Sequence, residues 1–301
     1  MKLKRLINIF DLVESLDKKI LIAVNAVDEH SLSAIAEAVK INIVDAIITG
    51  NREEILKQCN VHHINPGLFQ IVQANSEEEA ADIGVKLVKS VSGGILMKGL
   101  INSDKYLRAI LNKKAGLLPS GGVLSHVSVI DNPNYHKLMM ASDVAIIPYP
   151  TIKQKIAQIH YLKEIALNFG ITRPKIALIS PTEVVTPNIL SSMDAVELMK
   201  EAENGQFEPA IVYGPMAMDV AIDIESAIIK NIKSEVAGHA DCLLFPNLDA
   251  GNVFYKVNTK LCGAEQAAIV MGAHVPMILS SRGDSKQTKL NSIALAALLS
   301  K

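Results

Sequence analysis

Short apolar runs of four or five residues recur along the chain, each closing in a glycine or a polar loop and each followed by a stretch with apolar positions at helical spacing. The runs at 20–24, 45–50, 69–72 and 95–99 are too brief and too continuously apolar for amphipathic helices, so they read as buried strands. The intervening patterns predict helices over 31–39, 52–59, 76–91 and 103–112, preceded by a helical stripe at 3–16. Ser76 and Glu79 have the spacing of a capping box that opens the third of these. Further strands at 127–130 and 144–147 complete the first series. Strands alternating with helices in this way specify parallel pairs joined by right-handed crossovers, an α/β protein with mostly parallel sheets.

Pro148-Tyr149-Pro150 interrupts the rhythm, because two prolines around one residue force an extended crossing. Beyond it the alternation restarts, with strands at 175–179, 210–213, 242–245 and 267–270 and helices over 152–168, 193–203, 217–229 and 251–261. The reading is two α/β units, residues 1–148 with 281–301 and residues 149–280, the last helix returning to the first unit. Hydrophobic residues make up 49% of the chain and aromatic ones only 4%, so Ala, Ile, Leu and Val carry the core, as in doubly covered parallel sheets.

The remaining composition narrows the function. A net charge of −1 recommends neither nucleic acid nor an anionic membrane as partner. No apolar run reaches the length of a signal peptide or a membrane span. Cys59, Cys242 and Cys262 lie far apart and read as reduced thiols, the expectation for a cytoplasmic protein. The chain lacks a G-x-G-x-x-G after a strand, a Walker A loop and a G-x-S-x-G elbow. His62, His63, His126, His136, His160, His239 and His274 show no ligand spacing, so no metal site is expected.

Several strand ends carry loops suited to ligands. Residues 276–279 read as a strand that stops in Ser280-Ser281-Arg282-Gly283-Asp284-Ser285, and Leu290, Ile293, Ala294, Ala297 and Leu298 then recur at helical spacing. Such strand-to-helix loops at carboxyl ends are where open α/β sheets bind ligands. An arginine fork beside hydroxyls and backbone N–H groups suits an anion, above all phosphate, although Arg282 is equally consistent with an ordinary solvated arginine. Lys98 closes the 95–99 strand, and Gly251 and Asn252 stand where a helix begins and offer free N–H groups to an oxyanion, or serve only as cap and turn. Arg108 is a lone arginine on a predicted helix.

Residues 236–256, with Gly238-His239-Ala240-Asp241 leading into Phe245-Pro246-Asn247-Leu248-Asp249-Ala250-Gly251-Asn252, resemble the phosphate acetyltransferase and phosphate butyryltransferase family. Gly214-Pro215-Met216-Ala217-Met218-Asp219 and Ser281-Arg282-Gly283 resemble it in the same order, the strongest likeness covering about residues 210–301. Met97-Lys98-Gly99-Leu100, Leu124-Ser125-His126-Val127 and the 288–296 stretch are similar to the butyryl branch.

The resemblance implies two α/β/α domains with an active-site cleft between them, related to isocitrate and isopropylmalate dehydrogenases, assembled as a homodimer without metal or bound cofactor. It implies transfer of a short-chain acyl group, butyryl or a similar short or branched one, between coenzyme A and inorganic phosphate. Ser281 then matches the catalytic serine, Arg282 the arginine on the phosphate or coenzyme end, and Arg108 a second cleft arginine. One departure is clear: acetyl-specific members carry an aspartate, proposed as the thiol's base, where this chain has Thr288, which leaves the base unassigned and Asp284 nearby in sequence. No histidine neighbours Ser281 to activate it as a nucleophile, which favours direct transfer in a ternary complex. The alternatives are a non-catalytic acyl-coenzyme A binding relative and a dehydrogenase of the isopropylmalate type.

Overall fold

The computed structural model describes residues 3–281 and 283–300. In chain order its strands are β1 (Lys19–Val24), β2 (Val44–Gly50), β3 (Phe69–Gln73), β4 (Gly94–Lys98), β5 (Ser125–Asp131), β6 (Met139–Ser142), β7 (Lys175–Ile179), β8 (Ile211–Met216), β9 (Cys242–Leu244), β10 (Glu265–Met271) and β11 (Met277–Ile278). The helices are α1 (Ile9–Val13), α2 (Glu29–Lys40), α3 (Arg52–Val61), α4 (Glu77–Ser90), α5 (Ser103–Ile110), α6 (Ile152–Asn168), α7 (Leu190–Glu203), α8 (Met218–Ile222), α9 (Ile224–Ile229), α10 (Leu248–Lys260) and α11 (Lys286–Leu299).

The chain forms two compact units, one of residues 7–124 with 266–301 and one of residues 1–6 with 125–265. In the first, the strand order is β3-β2-β1-β4-β11-β10, parallel except for the last pair. β1 carries the centre, with Leu21, Ile22, Ala23 and Val24 fully buried. Helix α4 packs on β1, β2 and β4, while α2 packs on β2 and against α11. Nearly every described position of α11 is buried: its second half is Ile, Leu and Ala all round, while the buried positions of its first half include Thr288, Lys289, Asn291 and Ser292. Ser76 caps α4 by accepting the Glu79 N–H at 3.1 Å, but the Glu79 carboxylate returns to the N–H of Asn75, one residue before the partner a capping box would use.

In the second unit the order is β5-β6-β9-β7-β8, with β5 and β6 antiparallel and the other pairs parallel. The N-terminal segment is stitched in by Asp131, whose carboxylate accepts the Leu6 N–H at 2.8 Å and pairs with Arg5 at 3.0 Å.

Three sequence expectations change. The 144–147 run is not a strand. The buried Asp143 carboxylate accepts from the N–H groups of Ala145, Ile146 and Ile147 and from Ser125 Oγ, winding the run into a loop, and the ladder is made one step earlier by 139–142. The helix expected over 217–229 is two, because Asp223 stops α8 and caps α9 through the Ser226 N–H. The Pro148–Pro150 crossing lies inside the second unit instead of between two: β6 pairs with β9, which draws 125–148 into that unit, while β11 pairs with β4, which draws the residues after 265 into the first.

Candidate active site

β4 lies between β1 and β11 with all three parallel, Val24 opposite Lys98 and Ile278 opposite Met97. The loops after these strands therefore leave from one edge of the first unit, the carboxyl-end geometry at which α/β sheets bind ligands. Two of the loops are locked together. Gly99 and Leu100 donate their N–H groups to Val24 and Asn25 carbonyls, and Asn25 Nδ2 donates to the Leu100 carbonyl, each at 2.8 Å. A side chain at Gly99 would meet the Ala26 backbone at 2.6 Å, so only glycine permits this approach.

The third loop follows β11. The Ser281 N–H donates to Asp284 Oδ2 at 2.7 Å, and the Asp284 N–H donates back to the Ser281 carbonyl at 3.1 Å. Ser281 Oγ accepts from the Gly283 N–H at 3.4 Å. With one lone pair so engaged, the Ser281 hydroxyl still has its proton to donate, the kind of donor that stabilises a developing oxyanion. The Ser281 and Gly283 N–H groups, among the loop N–H groups that the sequence offered to an anion, donate within the loop. Asp284 is buried and serves as the acceptor that closes the turn. Arg282 lies outside the described residues.

Ser285 caps α11, accepting the Thr288 N–H at 3.1 Å while its own hydroxyl donates to Thr288 Oγ1 at 3.2 Å. Thr288 is thus buried and built into the cap. One residue further, Lys289 is buried to 3% exposure and donates from Nζ to Ser280 Oγ at 3.2 Å. Burial pushes its ammonium below the usual lysine range, against the opposing pull of Asp28 and Asp284. A cavity of ≈ 110 Å³ lies here, bordered by Asp28 and His30 at the start of α2, by Gly99 and Leu100, and by Ser280 and Lys289.

The other expected residues fall in different places. Lys98 is buried at the end of β4, with Nζ 3.4 Å from the Gly99 carbonyl to which it donates. Arg108 is exposed on α5 and adds its charge to that of Lys105 in holding the Glu78 carboxyl below the usual carboxylate range, Lys105 having the larger effect. Gly251 and Asn252 belong to the second unit. There α10 starts at Leu248, so Gly251 is already inside the helix and its N–H donates to the Asn247 carbonyl at 3.3 Å. Its free N–H group, expected from the sequence, does not exist: a helix begun three residues earlier consumes it. A side chain at Gly251 would meet the Asp143 carbonyl at 2.1 Å, and Asn252 Nδ2 donates to the Val144 carbonyl at 3.0 Å, so both residues hold the 143–147 loop. Lys289 was missed by sequence reasoning. Its signal was a lysine four residues before Ile293, on the apolar face of a helix with little polar surface. Among the described residues no group of three or more His, Cys, Asp and Glu side chains is placed to hold a metal ion.

The chain matches, over residues 77–297, a family described as "Phosphate acetyl/butaryl transferase". It is similar to the phosphate butyryltransferase of Clostridium acetobutylicum, 39% identical over 94% of this chain and 93% of that one. It is also similar to a phosphate acetyltransferase of Rhizobium meliloti, 36% identical over 90% of this chain and 85% of that one. Among solved structures, a branched-chain phosphotransacylase from Enterococcus faecalis V583 superposes with a TM-score of 0.80 at 28% identity, covering 93% of this chain and 98% of its own.

Proposed function

The chain belongs to the phosphate acetyl/butyryl transferase family, and from that premise we propose that it transfers a short-chain acyl group between coenzyme A and inorganic phosphate in a ternary complex. A butyryl or similar short or branched group is our first choice, because the 39%-identical relative is named a butyryltransferase and the structural neighbour a branched-chain enzyme. We place the protein in the cytoplasm as a homodimer, by likeness to the family.

The reading rests on the Ser281 loop. In the proposed reaction a phosphate oxygen attacks the thioester carbonyl, a tetrahedral oxyanion forms, and the carbon–sulfur bond breaks to release the coenzyme thiolate. In reverse, the thiolate attacks the acyl phosphate and phosphate leaves. Ser281 donates its hydroxyl to the oxyanion in both directions, a contribution that single donors of this kind make at about 2.7–4 kcal/mol. Arg282 takes the phosphate role, since a guanidinium fork matches two phosphate oxygens. Thr288 is committed to the cap and Asp284 to the Ser281 N–H, so neither is assigned as a base. The thiolate is favoured by positive charge instead, which lowers the pKa of a thiol.

The test is release of free thiol from butyryl-coenzyme A, followed with a thiol dye with and without phosphate. Release that requires phosphate supports the reading. Its absence with acetyl-, butyryl- and branched-chain thioesters alike points to a non-catalytic relative.

A further inference from the structure

Lys289 stands out because the cost of burying it is not met by an ion pair. An ammonium withdrawn from water costs several kcal/mol unless it is paired. Among the described residues, the Lys289 Nζ has one hydrogen bond, to Ser280 Oγ, and no carboxylate within salt-bridge distance. An ammonium has three donors, so two remain, at the wall of a cavity large enough for about three waters at ~30 Å³ each. A side chain needed only for packing would be a Leu or Met. The charge instead stands beside Ser280, the residue that precedes Ser281.

We propose that Lys289 is a positioning residue for Ser281: its ammonium tethers Ser280 and balances the buried Asp284 carboxylate, which in turn holds the Ser281 N–H and so aims the Ser281 hydroxyl. This rests on the acyltransferase reading above. The titratable and charged groups around the ammonium are Asp28, Glu29 and His30 at the start of α2 and Asp284 on the loop. Lys98 stands one residue before Gly99 at the end of β4. On its own helix Lys286 is directed to Glu37 at 3.5 Å. Loss of the Lys289 proton removes the third partner of this arrangement, so turnover should fall as pH rises, with the fall starting below the usual lysine pKa of about 10.4.

The experiment measures kcat and KM for butyryl-coenzyme A with phosphate at about pH 7 to 10, for the wild type, Lys289→Met and Lys289→Arg. A misplaced hydroxyl costs kcat and leaves substrate binding nearly intact. The expected result is a Lys289→Met kcat lower by about tenfold to a hundredfold with KM within about threefold. The wild type should show an alkaline decline that Lys289→Arg lacks, because a guanidinium stays charged throughout this range. Lys289→Met at wild-type kcat would overturn the proposal, as would an alkaline decline unchanged in Lys289→Arg. The second criterion holds even where the methionine variant fails to fold. A wild type inactive toward all acyl-coenzyme A substrates would overturn the acyltransferase reading and this proposal with it, whereas an active wild type with unaffected variants would overturn this proposal alone.

Discussion

The Asp284 carboxylate accepts the Ser281 N–H at 2.7 Å, while the Ser281 carbonyl accepts the Asp284 N–H at 3.1 Å. This reciprocal pair closes the turn between β11 and α11 and leaves the Ser281 hydroxyl proton outside it. Asp284 therefore supports the loop, and Ser281 is the residue proposed to meet the substrate. Ser281→Ala should lower kcat by about 10²–10³, the cost of one oxyanion donor. Asp284→Asn keeps an oxygen to accept the Ser281 N–H and should cost about tenfold. Rates of acyl transfer to coenzyme A for both variants between about pH 6 and 9 decide the order. If Asp284→Asn alone were inactive at neutral pH and rescued at high pH, Asp284 would be the base.

Arg282→Ala should cut turnover with phosphate by about 10² while the unfolding midpoint stays unchanged, since it removes the proposed phosphate partner from a polar run of the sequence and not from an apolar one. Arg282→Lys should recover part of the loss, because an ammonium lacks the planar fork. Wild-type kinetics in the alanine variant would remove Arg282 from the site.

Two glycines, one inside α10 and one in the loop before α11, should behave oppositely. Gly251→Ala places a methyl group 2.1 Å from the Asp143 carbonyl, and should cost about 2 kcal/mol or more in urea unfolding through overpacking. Gly283→Ala meets nothing within 4 Å and should stay within about 0.5 kcal/mol of the wild type. Equal stabilities would mean that the 143–147 loop yields to α10.

The buried lysine also leaves a stability signature. Burial lowers the folded-state pKa of Lys289 below that of the unfolded chain, so between the two values the unfolded state binds more protons. Stability of the wild type relative to Lys289→Met should therefore rise with pH through that window and level off near about 10.4. Denaturant unfolding of both proteins at stepped pH measures it. A difference independent of pH, or one that shrinks as pH rises, contradicts the burial.

Most strands and helices were legible because their apolar runs and helical stripes are long enough to state their period. The 277–278 strand, the Ser281 loop and α11 follow directly from residues 276–298. What was not legible depended on side chains reaching across the chain. Ala145, Ile146 and Ile147 look like a strand until Asp143 takes their N–H groups. Gly251 looks like a helix start until Asn247 begins the helix earlier. The unit boundaries followed from which strands pair, which the prolines at 148 and 150 do not encode. The spacing of Lys289 to Ile293 is visible in the sequence, but its burial against Ser280 is a tertiary contact that the sequence does not state.

Transfer of the acyl group to phosphate can be followed by phosphorus NMR of the purified chain with butyryl-coenzyme A and inorganic phosphate. An acyl phosphate resonance should grow in step with thiol release, one for one, and should disappear when excess coenzyme A is added. Thiol release with no acyl phosphate formed would mean that the thioester is hydrolysed and that the chain is not a phosphate acyltransferase.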